Sequence, residues 1–170
     1  MANATHKKPK AAVAEETMQV VTFHVGGEEY GLDIQSITEI VRPLKVTPLP
    51  RMPEFIEGVI NLRGIIIPIV DLRKRFGQRD IKDNRRTLRM MITKGAVAGL
   101  LGLIVDRVNE VRHLPGRDIE PAPEAAMGEH ASLVTGMGKV GDRLIILLNI
   151  TGILSREERS ALAEAGHAGS

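Results

Sequence analysis

The spacing of apolar residues changes character several times along the chain. From Met18 to Val25 the run MQVVTFHV is rich in β-branched residues and predicts a strand. Gly26-Gly27 then supplies a two-residue hairpin turn, since glycine accepts the positive φ such turns need, and 28–33 returns as a second strand. Asp33 reads as the N-cap of a short helix with Ile34, Ile37 and Val41 on one face, ended by Pro43. Four prolines (43, 48, 50 and 53) make 42–54 a stiff, extended connection. Between 58 and 72 the pattern is strand, turn, strand: GVINL, then Arg63-Gly64, then IIIPIVDL. Pro68 cannot donate to a ladder, so its strand is expected at a sheet edge or beside a bulge. A polar loop over 77–86 follows. Further strands are predicted at 88–93, 99–105 and 138–150, broken by Gly95, a 115–123 loop and Gly141-Asp142. Ser155-Arg-Glu-Glu158 is a capping box that opens a terminal helix to about Ala165.

An internal repeat organises these pieces. Gly31-Leu32 with Ile34, Ile37, Glu39 and Ile40 has the same internal spacing as Gly102-Leu103 with Val105, Val108, Glu110 and Val111, 71 residues later. Downstream, Pro50, Pro53 and Glu54 face Pro121, Pro123 and Glu124, and 65–72 faces 144–150. The fold class is therefore mainly β, with short helices and a C-terminal helix over 155–170 that includes its tail. Duplication around 18–80 and 86–154 implies two similar β-units packed side by side, with a groove between them.

Composition narrows the chemistry. The aromatic set is Phe23, Phe55, Phe76 and Tyr30, so Ile, Val, Leu and Met must build the core, and a base-stacking surface for single-stranded nucleic acid is excluded. With no cysteine there is no disulfide, no thiolate nucleophile and no Cys-ligated metal. Net charge is only +2. The local excesses are Lys7, Lys8 and Lys10, in an Ala- and Lys-rich stretch over 1–16 read as a disordered tail, and 79–94, with six basic against two acidic residues. Both read first as solvated; a small basic β-barrel that binds nucleic acid is the alternative they raise. The longest apolar or glycine run, 95–105, is 11 residues, too short to cross a bilayer, and no secretory leader opens the chain. The cytoplasm is the expected compartment.

Several motif matches fail on context. Gly136, Gly138 and Gly141 match G-x-G-x-x-G, but a strand follows instead of the helix whose N-terminus would hold a pyrophosphate. His6, His24, His113, His130 and His167 are scattered, and Ser36, Ser132 and Ser155 sit in no nucleophile elbow, so no metal and no cofactor is expected. Asp71 and Asp106 each end a very apolar strand and are the one carboxylate pair to consider. Each can equally cap a turn or a following helix. Arg63, in the turn Asn61-Leu62-Arg63-Gly64, is either an ion-pair anchor within the fold or a fork donor facing a partner.

At this turn the chain resembles the CheW family, the coupling proteins of bacterial chemotaxis arrays. The blocks that carry the resemblance are GGEEYGLDIQSITEIVR (26–42), FIEGVINLRGIIIPIVDLRKRFG (55–77), GLIVDRVNEV (102–111) with IEPAPE (119–124), and TGMGKVGDRLIILLNI (135–150), spanning about 18 to 154. The resemblance implies two five-stranded SH3-like β-barrels side by side and a non-enzymatic adaptor without cofactors. Its implied partners are the regulatory domain of the histidine kinase CheA, which has the same fold, and the cytoplasmic tip of methyl-accepting chemoreceptors. That tip is a helical hairpin that would dock in the groove. The implied location is the cytoplasm, at receptor arrays, with membrane association only through receptors. The matching positions are Arg63 with Asn61 and Gly64, Ile37 and Glu39 on the predicted helix, and Gly58 and Val111, linked in the family to receptor or kinase coupling. Ile37 and Val111 fit a core reading as well. The lysine-bearing tail is no part of the family pattern, and the chain lacks the receiver domain or kinase core of related chemotaxis proteins, which leaves a stand-alone adaptor.

Overall fold

Among the residues that the computed structural model describes (16–95, 99–123 and 128–168), eleven strands form. They are β1 (Thr17–Val25), β2 (Glu28–Asp33), β3 (Ile37–Val41), β4 (Ile56–Leu62), β5 (Ile65–Asp71), β6 (Arg89–Lys94), β7 (Leu100–Val105), β8 (Arg107–Pro115), β9 (Ile119–Glu120), β10 (Val134–Val140) and β11 (Arg143–Leu148). Two α-helices join them, α1 (Leu72–Arg75) and α2 (Arg156–Ala168). The tail expected over 1–16 lies outside the described residues except for Glu16.

The strands form one sheet in the order β8-β1-β2-β11-β10-β9 and a second in the order β3-β6-β7-β5-β4. Each is an SH3-like barrel; the first carries two-residue β9 as a sixth strand beyond the five expected. The second barrel is continuous in sequence, from β3 to β7. The first is split: β1 and β2 precede the continuous barrel and β8 to β11 follow it. The split barrel thus takes two strands from the first half of the repeat and four, β9 included, from the second, while the continuous barrel takes three from the first and two from the second. The repeat is visible in the pairing. Gly102 of β7 pairs in parallel with Ile69 of β5, and Gly31 of β2 pairs in parallel with Leu147 of β11. At both places a glycine lies tight against aliphatic side chains of its neighbours.

Three apolar clusters follow from this layout. Ile60, Leu62, Ile67, Ile69, Leu88, Met90, Ile92 and Ile104 fill the continuous barrel. Val20, Leu114, Ile145 and Leu147 fill the split one. The largest cluster draws from both, with Val21, Phe23, Val25 and Leu32 of the split barrel against Val70, Leu72, Met91, Leu103 and Val105 of the continuous one. Alternate residues of β6 accordingly face a barrel interior (Met90, Ile92) and the shared core (Met91). Strands buried on both faces read as unbroken apolar runs, which is why periodicity along β5 and β7 is so faint in the sequence. All four aromatic residues gather at the shared core, where Phe23, Tyr30 and Phe76 stack with centroids 6.0 and 5.0 Å apart.

The structure corrects three local expectations. The helix expected after Asp33 is a single 3-10 turn, Ile34–Ser36, whose Gln35 N–H does bond Asp33 Oδ1 at 2.9 Å; Ile37–Val41 then continues as β3, antiparallel to β6. The β-branched run ITEIV favours a pleated strand, and β6 supplies the ladder. By the repeat, β8 is the equivalent of β3, and the sequence reading passed over it too. Pro68 lies in an interior strand, between β4 and β7, and the expected bulge is in β4 opposite it, at 56–58. Val59 turns both its backbone groups toward Thr47, with bonds of 2.8 and 2.9 Å, so Pro68 faces it at a non-bonded position. The N–H that proline lacks is directed toward β7, where pairing starts only at Ile69.

Candidate functional site

Arg63 and Gly64 form the two-residue turn between β4 and β5, with φ of +53° and +88°. Two successive positive φ values match a type I′ turn, the form that suits the twist of a hairpin. An arginine in that conformation costs about 1–2 kcal/mol. Asn61 offsets part of this, because its Oδ1 accepts the Gly64 N–H at 2.8 Å. The result lifts Arg63 clear of the barrel, with a side chain 68% exposed, and its guanidinium donates to the Glu39 carboxylate on β3. Both readings of Arg63 therefore apply at once: it is ion-paired within the fold and it faces solvent. An exposed pair of this kind adds at most about 1 kcal/mol to stability. Ile40, next to Glu39 on β3, and Ile65, which follows the turn on β5, are exposed aliphatics beside it.

The remaining expected positions separate. Ile37 on β3 is half-buried and packs on the shared core. Gly58 sits three residues before Asn61 on β4, at φ +140°, and a Cβ there would stand 2.0 Å from the Thr47 carbonyl oxygen. Its role is close backbone approach to the proline-rich strap. Val111 lies on β8 of the split barrel, 47% exposed, away from the Arg63 turn in the fold. Glu110 beside it, the repeat equivalent of Glu39, pairs with Arg143 at 3.3 Å. Arg143 also holds the buried carboxylate of Glu29, at 3.1 and 2.6 Å, and Asn109 adds a third bond at 3.2 Å. Burial alone would push the Glu29 carboxyl up; Arg143 and Asn109 outweigh it and hold it below its ordinary value.

Asp71 and Asp106 do meet, through a residue the sequence reading missed. Arg73, on α1, is 4% exposed. Its guanidinium bonds Asp71 through Nε and Nη2 at 3.0 Å each, Asp83 at 2.8 Å and Asp106 at 3.3 Å. Burial would lower the pKa of the guanidinium, but the Asp71 and Asp83 carboxylates raise it above its ordinary value. Asp71 also caps α1 by accepting the Arg73 N–H at 2.9 Å. Both carboxylates are thus tied up in an ion-pair cluster. The available signal was the pairing of Asp71-Leu72-Arg73 with a second aspartate, Asp106, placed equivalently after β7.

A groove of about 590 Å³ opens between the continuous barrel and the C-terminal segment that follows β11. Ile66 and Pro68 of β5 with Leu100 and Leu101 of β7 form one wall; Ile150, Leu154 and Leu162 form the other, rimmed by Arg156 and Arg159. Its far wall comes from the segment after β11 and from α2, which starts with the expected capping box: Glu158 N–H to Ser155 Oγ at 3.1 Å and Ser155 N–H to Glu158 Oε1 at 2.7 Å. Among the described residues no cluster of His, Asp and Glu has metal-binding form, and no helix is long and apolar enough to cross a membrane.

The CheW-like domain model matches residues 19–158. The chain is 39% identical over 148 residues to the chemotaxis protein CheW of Klebsiella aerogenes, covering 86% of this chain and 88% of that one. It is 34% identical over 160 residues to its Treponema pallidum counterpart, covering 93% and 94%. The structure resembles that of the scaffolding protein TtCheW from Thermoanaerobacter tengcongensis, with a TM-score of 0.77, 36% identity, and coverage of 84% and 96%. These matches give the nucleic-acid alternative no support. Within the basic 79–94 segment, the Arg89 guanidinium is engaged internally, donating to the carbonyls of Arg86 and Leu88.

Proposed function

The chain belongs to the CheW-like family of chemotaxis coupling proteins, and from that premise we propose how it couples its partners. The Arg63 turn, with Glu39, Asn61, Gly64 and the exposed aliphatics beside it, docks the regulatory domain of the kinase CheA. The groove between the continuous barrel and the C-terminal segment takes the helical tip of a chemoreceptor, whose apolar face would lie against Ile66, Leu100, Leu101 and Leu154. The observation that carries this reading is the presence of two unlike surfaces on one framework: an exposed ion pair among aliphatics, and an apolar groove. An adaptor of this kind performs no reaction; it works by holding two proteins at a set spacing in the cytoplasm, reaching the membrane only through the receptor. Gly58 acts by shaping the strap beside the Arg63 turn, and Val111 by contact on the split barrel.

Titration of the chain with purified CheA regulatory domain and, separately, with a receptor-tip fragment tests the reading. Binding of both at once, with Arg63→Ala losing only the kinase domain, is the expected result. Mutual exclusion of the two partners, or no binding of either, overturns it.

A further inference from the structure

The chain passes between its two barrels only at Ile34–Ser36 and at Asp106, since β3 to β7 lie in one sheet and all other strands in the other. Two covalent threads make a hinge unless something locks them. Both arginines of α1, an element of the continuous barrel, reach across. Arg73 bonds Asp106, whose other oxygen, Oδ2, accepts the Gly26 N–H at 2.7 Å in the β1–β2 turn of the split barrel. The Asp106 backbone N–H bonds the His24 carbonyl at 3.0 Å, and the Gln78 side chain lies against Gly26. Arg75 donates through Nε to the Ile153 carbonyl at 3.0 Å, in the segment that walls the groove, while its guanidinium lies 5.1 Å from the centre of the Phe55 ring. One four-residue helix is therefore fastened outside its own barrel at two separate points, to the split barrel through Asp106 and to the C-terminal segment at Ile153.

We propose that Arg73 and Arg75 are positioning residues that bolt the continuous barrel to the split barrel and to the C-terminal segment in one relative orientation, and so keep the groove between barrel and segment open in its binding form. This rests on the groove being the receptor site. The Arg63 turn and Glu39 lie wholly within the continuous barrel, so they do not depend on the bolt. Loosening the bolt separates the two binding activities, which a general loss of stability does not do.

The chain has no cysteine, so spin labels attached at Lys94→Cys on the continuous barrel and Leu144→Cys on the split one report the inter-barrel distance alone. With Arg75→Ala the distance distribution broadens. A receptor-tip fragment binds about tenfold more weakly, because a groove that must be reassembled loses preorganisation. Affinity for the CheA regulatory domain stays unchanged. Asp106→Asn, which keeps the shape of the side chain but cannot accept from both partners, gives the same pattern and serves if Arg75→Ala folds poorly. An unbroadened distribution in both variants overturns the proposal, as does an equal fall in both affinities. If the unsubstituted chain fails to bind the receptor fragment, the groove assignment falls, and the distance measurement still decides whether the bolt exists.

Discussion

Gly58→Ala tests whether Gly58, proposed above to shape the strap beside the Arg63 turn, is required for close backbone approach. The glycine has φ +140°, and an added Cβ would stand 2.0 Å from the Thr47 carbonyl oxygen and 2.8 Å from Pro48 Cα. Holding a non-glycine residue at that φ costs about 1–3 kcal/mol. Relief of the clash requires the strap to lift, which breaks the two Thr47–Val59 bonds of 2.8 and 2.9 Å. These are worth about 0.5–1.5 kcal/mol each, so the whole substitution costs about 2–6 kcal/mol. Gly64→Ala is the control. Its φ of +88° is equally unfavourable to alanine, but no heavy atom lies within 4 Å of the added Cβ. Only the backbone term remains there, about 1–2 kcal/mol. Urea unfolding of the two variants beside the parent gives the comparison from midpoints at a common slope. If Gly58→Ala unfolds at the same urea concentration as Gly64→Ala, or later, the close-approach argument is wrong. Gly58→Asp should be worse still, since it brings a carboxylate against a carbonyl oxygen.

Arg63→Ala removes one exposed ion pair and relieves a positive φ only slightly, so stability should move by no more than about 1 kcal/mol while binding of the CheA regulatory domain drops; circular dichroism melting with a titration checks both. Asp71→Asn leaves the buried Arg73 short of its main counter-charge and should cost about 3–5 kcal/mol in chemical denaturation, against no measurable loss for an exposed control such as Asp142→Asn. Glu29 has a folded pKa below its ordinary 4.5, so its contribution is complete above that pH and disappears as pH falls through the lower folded value. Glu29→Gln should therefore be less stable at neutral pH and flatten the acid side of the stability curve below pH 4.5; parallel curves there refute the assignment. Ser155→Ala breaks the capping box and should cost about 0.5–2 kcal/mol, with faster hydrogen exchange confined to the first turn of α2.

The elements that local chemistry dictates were legible in the residues. The Gly26-Gly27 and Arg63-Gly64 hairpins follow from backbone permission at glycine, and the start of α2 from the Ser155 and Glu158 pair. The Arg63 turn, Asn61 and Gly64 were found for the same reason: their geometry is made within four residues. The short helix expected at Ile37 failed because its spacing of Ile34, Ile37 and Val41 suits a helix face while the backbone there is claimed by β6, fifty residues away in sequence. Arg73 was passed over because its three carboxylate partners come from the end of β5, a loop and the β7–β8 junction. Nothing in the run Arg73-Lys74-Arg75 marks its first residue as the buried one, since Lys74 and Arg75 are half-buried and also partnered, with Glu57 and the Ile153 carbonyl.

What the chain determines by itself is local content: strands rich in branched aliphatics, two-residue turns and a capped terminal helix. These depend on bonding and sterics between near neighbours, and those terms are the same in any surroundings. How the repeats share their strands was decided only in three dimensions. The doubled sequence is equally compatible with each half closing on its own. The observed exchange, in which β1 and β2 join β8 to β11 while β6 and β7 join β3 to β5, buries the shared core of Phe23, Leu32, Val70, Leu72, Met91 and Leu103. The Arg73 cluster exists only as a consequence of that choice, because Asp106 lies where the chain passes between the barrels, and the groove exists only once the C-terminal segment is laid against β5 and β7.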